Sequence, residues 1–418
     1  MHPDLRASYN AAFRSEHYAE VAARLRSLVG QDPTFRLCET PVFIADDLAR
    51  RLLQSADDIS AVLADPEVLA RTADAIHAPY WSVPGDVERP LFLQYDFAIC
   101  REGDALVPWL IELQGFPSLY GFQSDLVDAF LGDKACVRGV VDGFARANPR
   151  FRQNQQAAPR LDTYFGGLTQ EAYFDLLRAA ILNGHAPEEC ILLEIDPYQQ
   201  NTVVDFLATR RHLGIPIVGL DELRRDGRQL FYESGTRRID VKRVYNRVIL
   251  DELLQHADRR FAYTFREDVD VEWAGHPDWF LRISKHTLPA LAHLGNVPET
   301  LFVSDYAPGT FDLADYVLKP LYSFSGAGVN IHPTEADVAA VDRPGNWILQ
   351  RKVNYGPVLE TPTGMAKVEI RMMALWLPDW PQARVVNNLV RVSKGEMTGV
   401  KYNKDKDWVG ASVGLHGL

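Results

Sequence analysis

Glu112 and Gln114 stand two residues apart at the end of Val107-Pro108-Trp109-Leu110-Ile111-Glu112-Leu113-Gln114. If that run is a strand, both side chains leave the same face and can offer oxygen ligands to a hard cation such as Mg²⁺. Asp96, in the strand-like run Leu91 to Ile99, joins them if the turn Arg101-Glu102-Gly103-Asp104 is odd in length and centred on Asp104. Asp96 then faces Glu112 with Cβ atoms about 5 Å apart. Facing carboxylates repel, and a bound cation would make the pairing favourable. The competing reading is a solvated hairpin face with incidental acids.

A second group lies in Tyr316-Val317-Leu318-Lys319-Pro320-Leu321-Tyr322-Ser323-Phe324-Ser325-Gly326-Ala327-Gly328-Val329. A lysine ending a strand, followed by a turn containing Ser325, Gly326 and Gly328, can present an ammonium and backbone N–H groups to phosphate oxygens. It is not a dinucleotide fingerprint, because Val329 to Pro333 continues as strand and a third glycine is missing. An ordinary hairpin turn with a surface lysine has the same pattern. Gln350 ends the apolar run Trp347-Ile348-Leu349, where an adenine edge could be read. Glu369 and Arg371 share one face of a strand and Arg391 follows on another. They read either as an intrastrand ion pair or as guanidinium groups that neutralise charge on a transferred phosphoryl group.

The elements that must position these residues fall into four stretches. Residues 1–150 begin with helical periodicity, as in Asp46-Asp47-Leu48-Ala49-Arg50-Arg51-Leu52-Leu53, and continue into the acidic β-hairpin. Residues 151–255 alternate helix and strand: Gln170 to Ile181, Cys190 to Ile195, Val203 to Leu213 and Ile215 to Gly219. That alternation predicts a Rossmann-like parallel layer, with Gly214 stopping its second helix. Residues 256–349 predict a helix from Lys285 to His293 and short strands at Tyr316 to Lys319 and Val329 to His332. Residues 350–418 are strand-rich and could rejoin the hairpin in one sheet.

Composition sets bounds. The chain has 418 residues, 47% of them hydrophobic, and a net charge of -12. That length exceeds a single core, and the acidity disfavours a general grip on nucleic acid. No apolar run approaches the roughly 20 residues of a membrane helix. The start, Met1-His2-Pro3-Asp4-Leu5-Arg6, lacks the apolar stretch of a signal peptide, so the expected location is the cytosol. Cys38, Cys100, Cys136 and Cys190 are scattered, as reduced thiols would be, and His185 lacks metal-site spacing.

Taken in this order, the motifs resemble the glutathionylspermidine synthase-like branch of the circularly permuted ATP-grasp ligases. There an early hairpin pairs Arg-x-Asp with Glu-x-Asn, and the nucleotide lysines come late. Here the strands read Gln94-x-Asp96 and Glu112-x-Gln114. Ser284-Lys285-His286-Thr287-Leu288-Pro289-Ala290-Leu291 is similar to the family helix whose lysine touches ATP phosphate. Lys319-Pro320 and the glycine turn resemble its phosphate flap, and Gln350 falls where adenine is read.

The resemblance implies a mixed α/β, circularly permuted ATP-grasp fold with a central antiparallel sheet, an inserted Rossmann-like lobe and an ATP lid. It implies ATP and Mg²⁺ as cofactors and a C–N bond-forming ligase that joins a small carboxylate to an amine through an acylphosphate. Asp96, Glu112 and Gln114 would hold Mg²⁺. Lys285, Lys319, Ser325, Gly326, Gly328 and Gln350 would bind ATP. Gln94 replaces the family arginine that steadies the transferred phosphate, so Arg371 and Arg391 are its candidate substitutes. Ser118, Tyr120 and Arg247 are candidate substrate contacts. Two alternatives stay open: a nucleotide-binding homologue that does not ligate, and a transferase that uses its α/β lobe for a nucleotide sugar or other small ligand.

Overall fold

The computed structural model describes residues 1–85, 87–132, 136–147, 161–322, 328–396 and 403–417. Three N-terminal helices, Pro3–Ala12, Ser15–Val29 and Asp46–Leu63, flank a short strand, β1 (Val42–Phe43). The last helix opens with Asp46 and Asp47 at its positive end and buries Leu48, Leu52, Ile59 and Leu63 along one face. Strands β2 (Phe92–Glu102) and β3 (Ala105–Gln114) then form the hairpin.

The following α/β unit contains helix Gln170–Leu182, β4 (Cys190–Glu194), helix Val203–Leu213 and β5 (Ile217–Gly219). A meander of β6 (Arg224–Asp226), β7 (Gln229–Ser234) and β8 (Arg237–Asp240) precedes β9 (Arg243–Asn246) and β10 (Glu272–Ala274). Strands β10-β9-β4-β5 make a parallel sheet in that order. Gly214 ends its helix at φ 78° and donates its N–H to the Arg210 carbonyl, the left-handed stop that glycine adopts without a Cβ clash.

Next comes a three-stranded antiparallel unit, β11 (Thr300–Phe302), β12 (Tyr316–Pro320) and β13 (Trp347–Arg351), ordered β11-β13-β12. The run Val329 to His332 is not the expected strand: Asn330 makes a single bridge to Leu318. The expected helix from Lys285 is a 3₁₀ turn, Lys285–Thr287, running into Leu288–Leu291.

The chain closes with β14 (Leu359–Thr361), β15 (Gly364–Leu375), β16 (Arg384–Ser393), β17 (Gly410–Ser412) and β18 (Gly414–Leu415). These C-terminal strands rejoin the hairpin in one antiparallel sheet, ordered β17-β16-β15-β2-β3, with β14 on β15. Strand β18 pairs in parallel with β1.

Alternation gives the central sheet two unlike faces. Leu93, Tyr95, Phe97 and Ile99 of β2, Val368, Ile370 and Met372 of β15, and Val390 and Val392 of β16 pack with the Asp46–Leu63 helix in one apolar core. The residues between them, Asp96, Glu369, Arg371 and Arg391, therefore leave the opposite face. The hairpin turn is not odd in length: Glu102 pairs with Ala105 across Gly103 and Asp104. A β-bulge corrects the register, since Phe97 pairs with Leu110 while Asp96 pairs with Glu112, which leaves Ile111 as the extra residue. Without it, Leu110 and Glu112 would share a face. With it, Leu110 enters the core and Glu112 joins the charged face.

Candidate functional site

The charged face is built from four strands of the central sheet, β2, β3, β15 and β16. Asp96 is 1% exposed and is held by two guanidinium groups. Arg371, its register partner on β15, donates from Nε to Oδ1 at 2.6 Å and from Nη2 to Oδ2 at 2.7 Å. Arg391 on β16 donates from Nη2 to Asp96 Oδ2 at 2.6 Å and also to Glu369 Oε1. Glu369 therefore pairs across strands with Arg391, and Arg371 pairs with Asp96, in place of the intrastrand ion pair that the Glu369-x-Arg371 spacing suggested. Burial pushes the Asp96 carboxyl up, but Arg371 and Arg391 outweigh it and hold it below the usual range. Burial dominates at Glu369 and raises it, against the pull of Arg391.

The lysines reach the same face from other elements. Ser284 caps the 3₁₀ turn by accepting the His286 N–H, and the buried Lys285 ammonium stands 3.7 Å from Glu112 Oε1 and 3.3 Å from the Leu321 carbonyl. Lys319 on β12 donates to Gln350 Oε1 on β13 at 2.5 Å. Burial lowers the Lys319 ammonium to about 8, with Glu112 supporting its charge and Lys285 opposing it. Gly328 (φ 71°) folds back over Pro320, where an added Cβ would lie 3.0 Å from the ring Cγ. Ser325 and Gly326 lie outside the described residues.

Two predicted site residues are committed elsewhere. Tyr120 is buried, and its hydroxyl points to the Leu93 and Ala374 carbonyls at 3.0 and 2.9 Å. Arg247 is 3% exposed and donates to Asp205 Oδ2 at 2.6 Å. Asp205 also accepts the backbone N–H groups of Leu119, Gly121 and Phe122, so this ion pair fixes the turn after β3. Leu119 takes a left-handed φ of 65° there. The Ser118 carbonyl accepts from Gln94 Nε2 at 2.7 Å, which spends the Gln94 amide on the same turn. Gln114 lies opposite Gln94 at the end of the hairpin.

Sequence reasoning missed Asp205 and Tyr355. Asp205 carried only the weak signal of an acid in a helix's first turn. Tyr355 carried none: its hydroxyl is buried without a partner, within electrostatic reach of Glu369, Arg391 and Asp96. Arg391 Nε and Gln350 Nε2 are likewise buried and unpartnered. An unmet buried donor costs about 1–3 kcal/mol. Three of them beside four cations fit an acceptor-rich anion, and a nucleotide phosphate supplies such acceptors.

The expected metal set fits less well. Both Asp96 oxygens are taken by guanidinium groups, and Glu112 faces the Lys285 ammonium. Among the described residues no group of three or more His, Cys, Asp or Glu side chains could hold a metal ion.

No protein-family model matches the sequence, and no curated protein matches it. Among solved structures, a glutathione synthetase-like effector from Globodera pallida, in its apo form, superposes with a TM-score of 0.56 over 96% of each chain at 11% identity. The chain shares that fold. That fold is a mixed α/β arrangement of parallel and antiparallel sheets. Among the described residues no helix is long and apolar enough to cross a membrane. The four cysteines are free, Cys38, Cys100 and Cys190 being buried.

Proposed function

We propose that this chain is an ATP-dependent carboxylate–amine ligase with a circularly permuted ATP-grasp core. The observation that carries the reading is the gathering of Lys285, Lys319, Arg371 and Arg391, from three parts of the chain, onto one face of the central sheet. Lys285 and Lys319 would bind phosphate oxygens, and the buried Gln350 amide would donate to the nucleotide. A substrate carboxylate attacking the γ-phosphorus would break its bond to the β,γ-bridging oxygen, release ADP and form an acylphosphate. Attack by an amine on the acyl carbon would then form the amide and release phosphate and a proton. Arg371 and Arg391 would stabilise charge on the transferred group. Exclusion of water matters because an acylphosphate hydrolyses readily.

A second reading, a nucleotide-binding homologue that does not ligate, draws on Gln94. This position carries an arginine in the family resembled, whereas here its amide is committed to the Ser118 carbonyl. The deciding experiment is release of ADP on screening carboxylate and amine pairs, with Lys319→Ala as the control. We expect ADP release with at least one pair in wild type and ATP affinity at least about tenfold weaker in the variant. Unchanged ATP affinity in Lys319→Ala would remove Lys319 from the site, and tight ATP binding without turnover across the screen would favour the second reading.

A further inference from the structure

The carboxylate expected to ligate a metal is surrounded by cations of the chain itself. Arg371 meets Asp96 in a bidentate pair and Arg391 bridges Asp96 to Glu369. A divalent ion on Asp96 would displace charge-assisted bonds of 2.6–2.7 Å and sit beside two fixed guanidinium groups. Glu112, the register partner of Asp96, has the Lys285 ammonium at 3.7 Å. Each expected metal carboxylate is therefore already matched to a side-chain cation. Arg391 Nε, Gln350 Nε2 and the Tyr355 hydroxyl are buried without partners and can donate, so three groups of the cluster lack an acceptor, against one unpartnered acceptor, Gln94 Oε1.

We infer that Asp96 is a positioning residue, which orients Arg371 and Arg391 toward an anionic ligand, and that the site neutralises this ligand with side-chain cations and not with a divalent ion on Asp96. The inference rests on the nucleotide reading above and deepens it. Planar guanidinium groups fixed by a carboxylate keep their remaining N–H groups aimed without a further loss of rotamer freedom. Asp96 and Glu369 are buried by 99% and 97%, so they hold the arginines from behind.

The two roles of Asp96 predict opposite signs for one measurement. ATP is titrated calorimetrically into wild type, Asp96→Asn and Arg391→Lys, once with EDTA and once with excess Mg²⁺. If Asp96 positions the arginines, wild type binds ATP in EDTA, and both variants weaken that metal-free binding by about tenfold, the loss of one charge-assisted hydrogen bond. If Asp96 is a metal ligand, neutralising it leaves metal-free binding unchanged or tighter and removes only the Mg²⁺-dependent increment, a result that overturns the inference. Binding by wild type only with Mg²⁺ also overturns it while leaving the nucleotide reading intact. Binding in neither condition overturns both. Should Asp96→Asn fail to fold, wild type decides alone: binding in EDTA comparable to that in Mg²⁺ supports the inference, and binding only with Mg²⁺ overturns it.

Discussion

Lys319 loses its proton near 8, where burial outweighs the support of Glu112, so its charge is an adjustable part of the site. ATP affinity should fall as pH rises above about 8, by at most about tenfold per pH unit, because the ammonium that would meet the phosphate is disappearing. Calorimetry across that range should show the decline in wild type and a flatter profile in Lys319→Ala; equal declines would exclude Lys319 as its source. The unliganded protein behaves oppositely. The folded pKa lies below the ordinary 10.5, so between about 8 and 10.5 the unfolded chain binds more protons and stability rises with pH. At this scale the sequence displayed the residue types that meet on the charged face, including Asp96, Glu112, Lys285, Lys319, Arg371 and Arg391. It could not display their pairing. Asp96 and Arg371 are 275 positions apart, and nothing local to either one says which charge it will face. The same limit holds for Arg247: its partner, Asp205, lies 42 positions away on a helix.

Among the elements, the turn after β3 is the most tightly specified. Asp205 accepts three of its backbone N–H groups and the Arg247 guanidinium within a buried volume. Asp205→Ala should destabilise the protein by about 3–5 kcal/mol, since it strands a buried cation along with those donors. Adding Arg247→Met should recover part of that loss by removing the stranded charge. Urea unfolding of the single and double variants checks this, and additive losses would mean that the pair is not coupled. Helix Gln170–Leu182 was legible from its periodicity and its stop at Asn183, and Val203–Leu213, buried on most sides, from its glycine stop at Gly214. The strand expected at Val329 to His332 was not, because a short apolar run becomes a strand only when a partner lies along its length, and Leu318 alone meets Asn330. The hairpin's pairing of Asp96 with Glu112 emerged from a turn of different length because the bulge at Ile111 compensates, and single-sequence alternation does not reveal a bulge.

Across the whole molecule, the central sheet joins chain segments that are far apart: β2 and β3 lie between Phe92 and Gln114, while β15 and β16 lie between Gly364 and Ser393. The C-terminal run was readable as strand and its return to the hairpin as a possibility. The order β17-β16-β15-β2-β3 depends on contacts too distant for local pattern to fix. The bulge at Ile111 has a kinetic consequence within this arrangement. Starting from the two-residue turn, the hairpin can zip outward in a regular register only as far as Phe97 and Leu110; the next regular step would oppose Asp96 to Ile111 and bring Glu112 toward the apolar core. The bulged pairing becomes favourable once Arg371 arrives on β15 to meet Asp96. The turn end of the hairpin should therefore gain protection early in refolding, and the Asp96 end only together with β15. Pulse-labelled hydrogen exchange can follow both ends, and simultaneous protection along β2 before β15 would refute this order. The extra residue that aims Glu112 would then also act as a checkpoint, delaying completion of the charged face until the far end of the chain has docked.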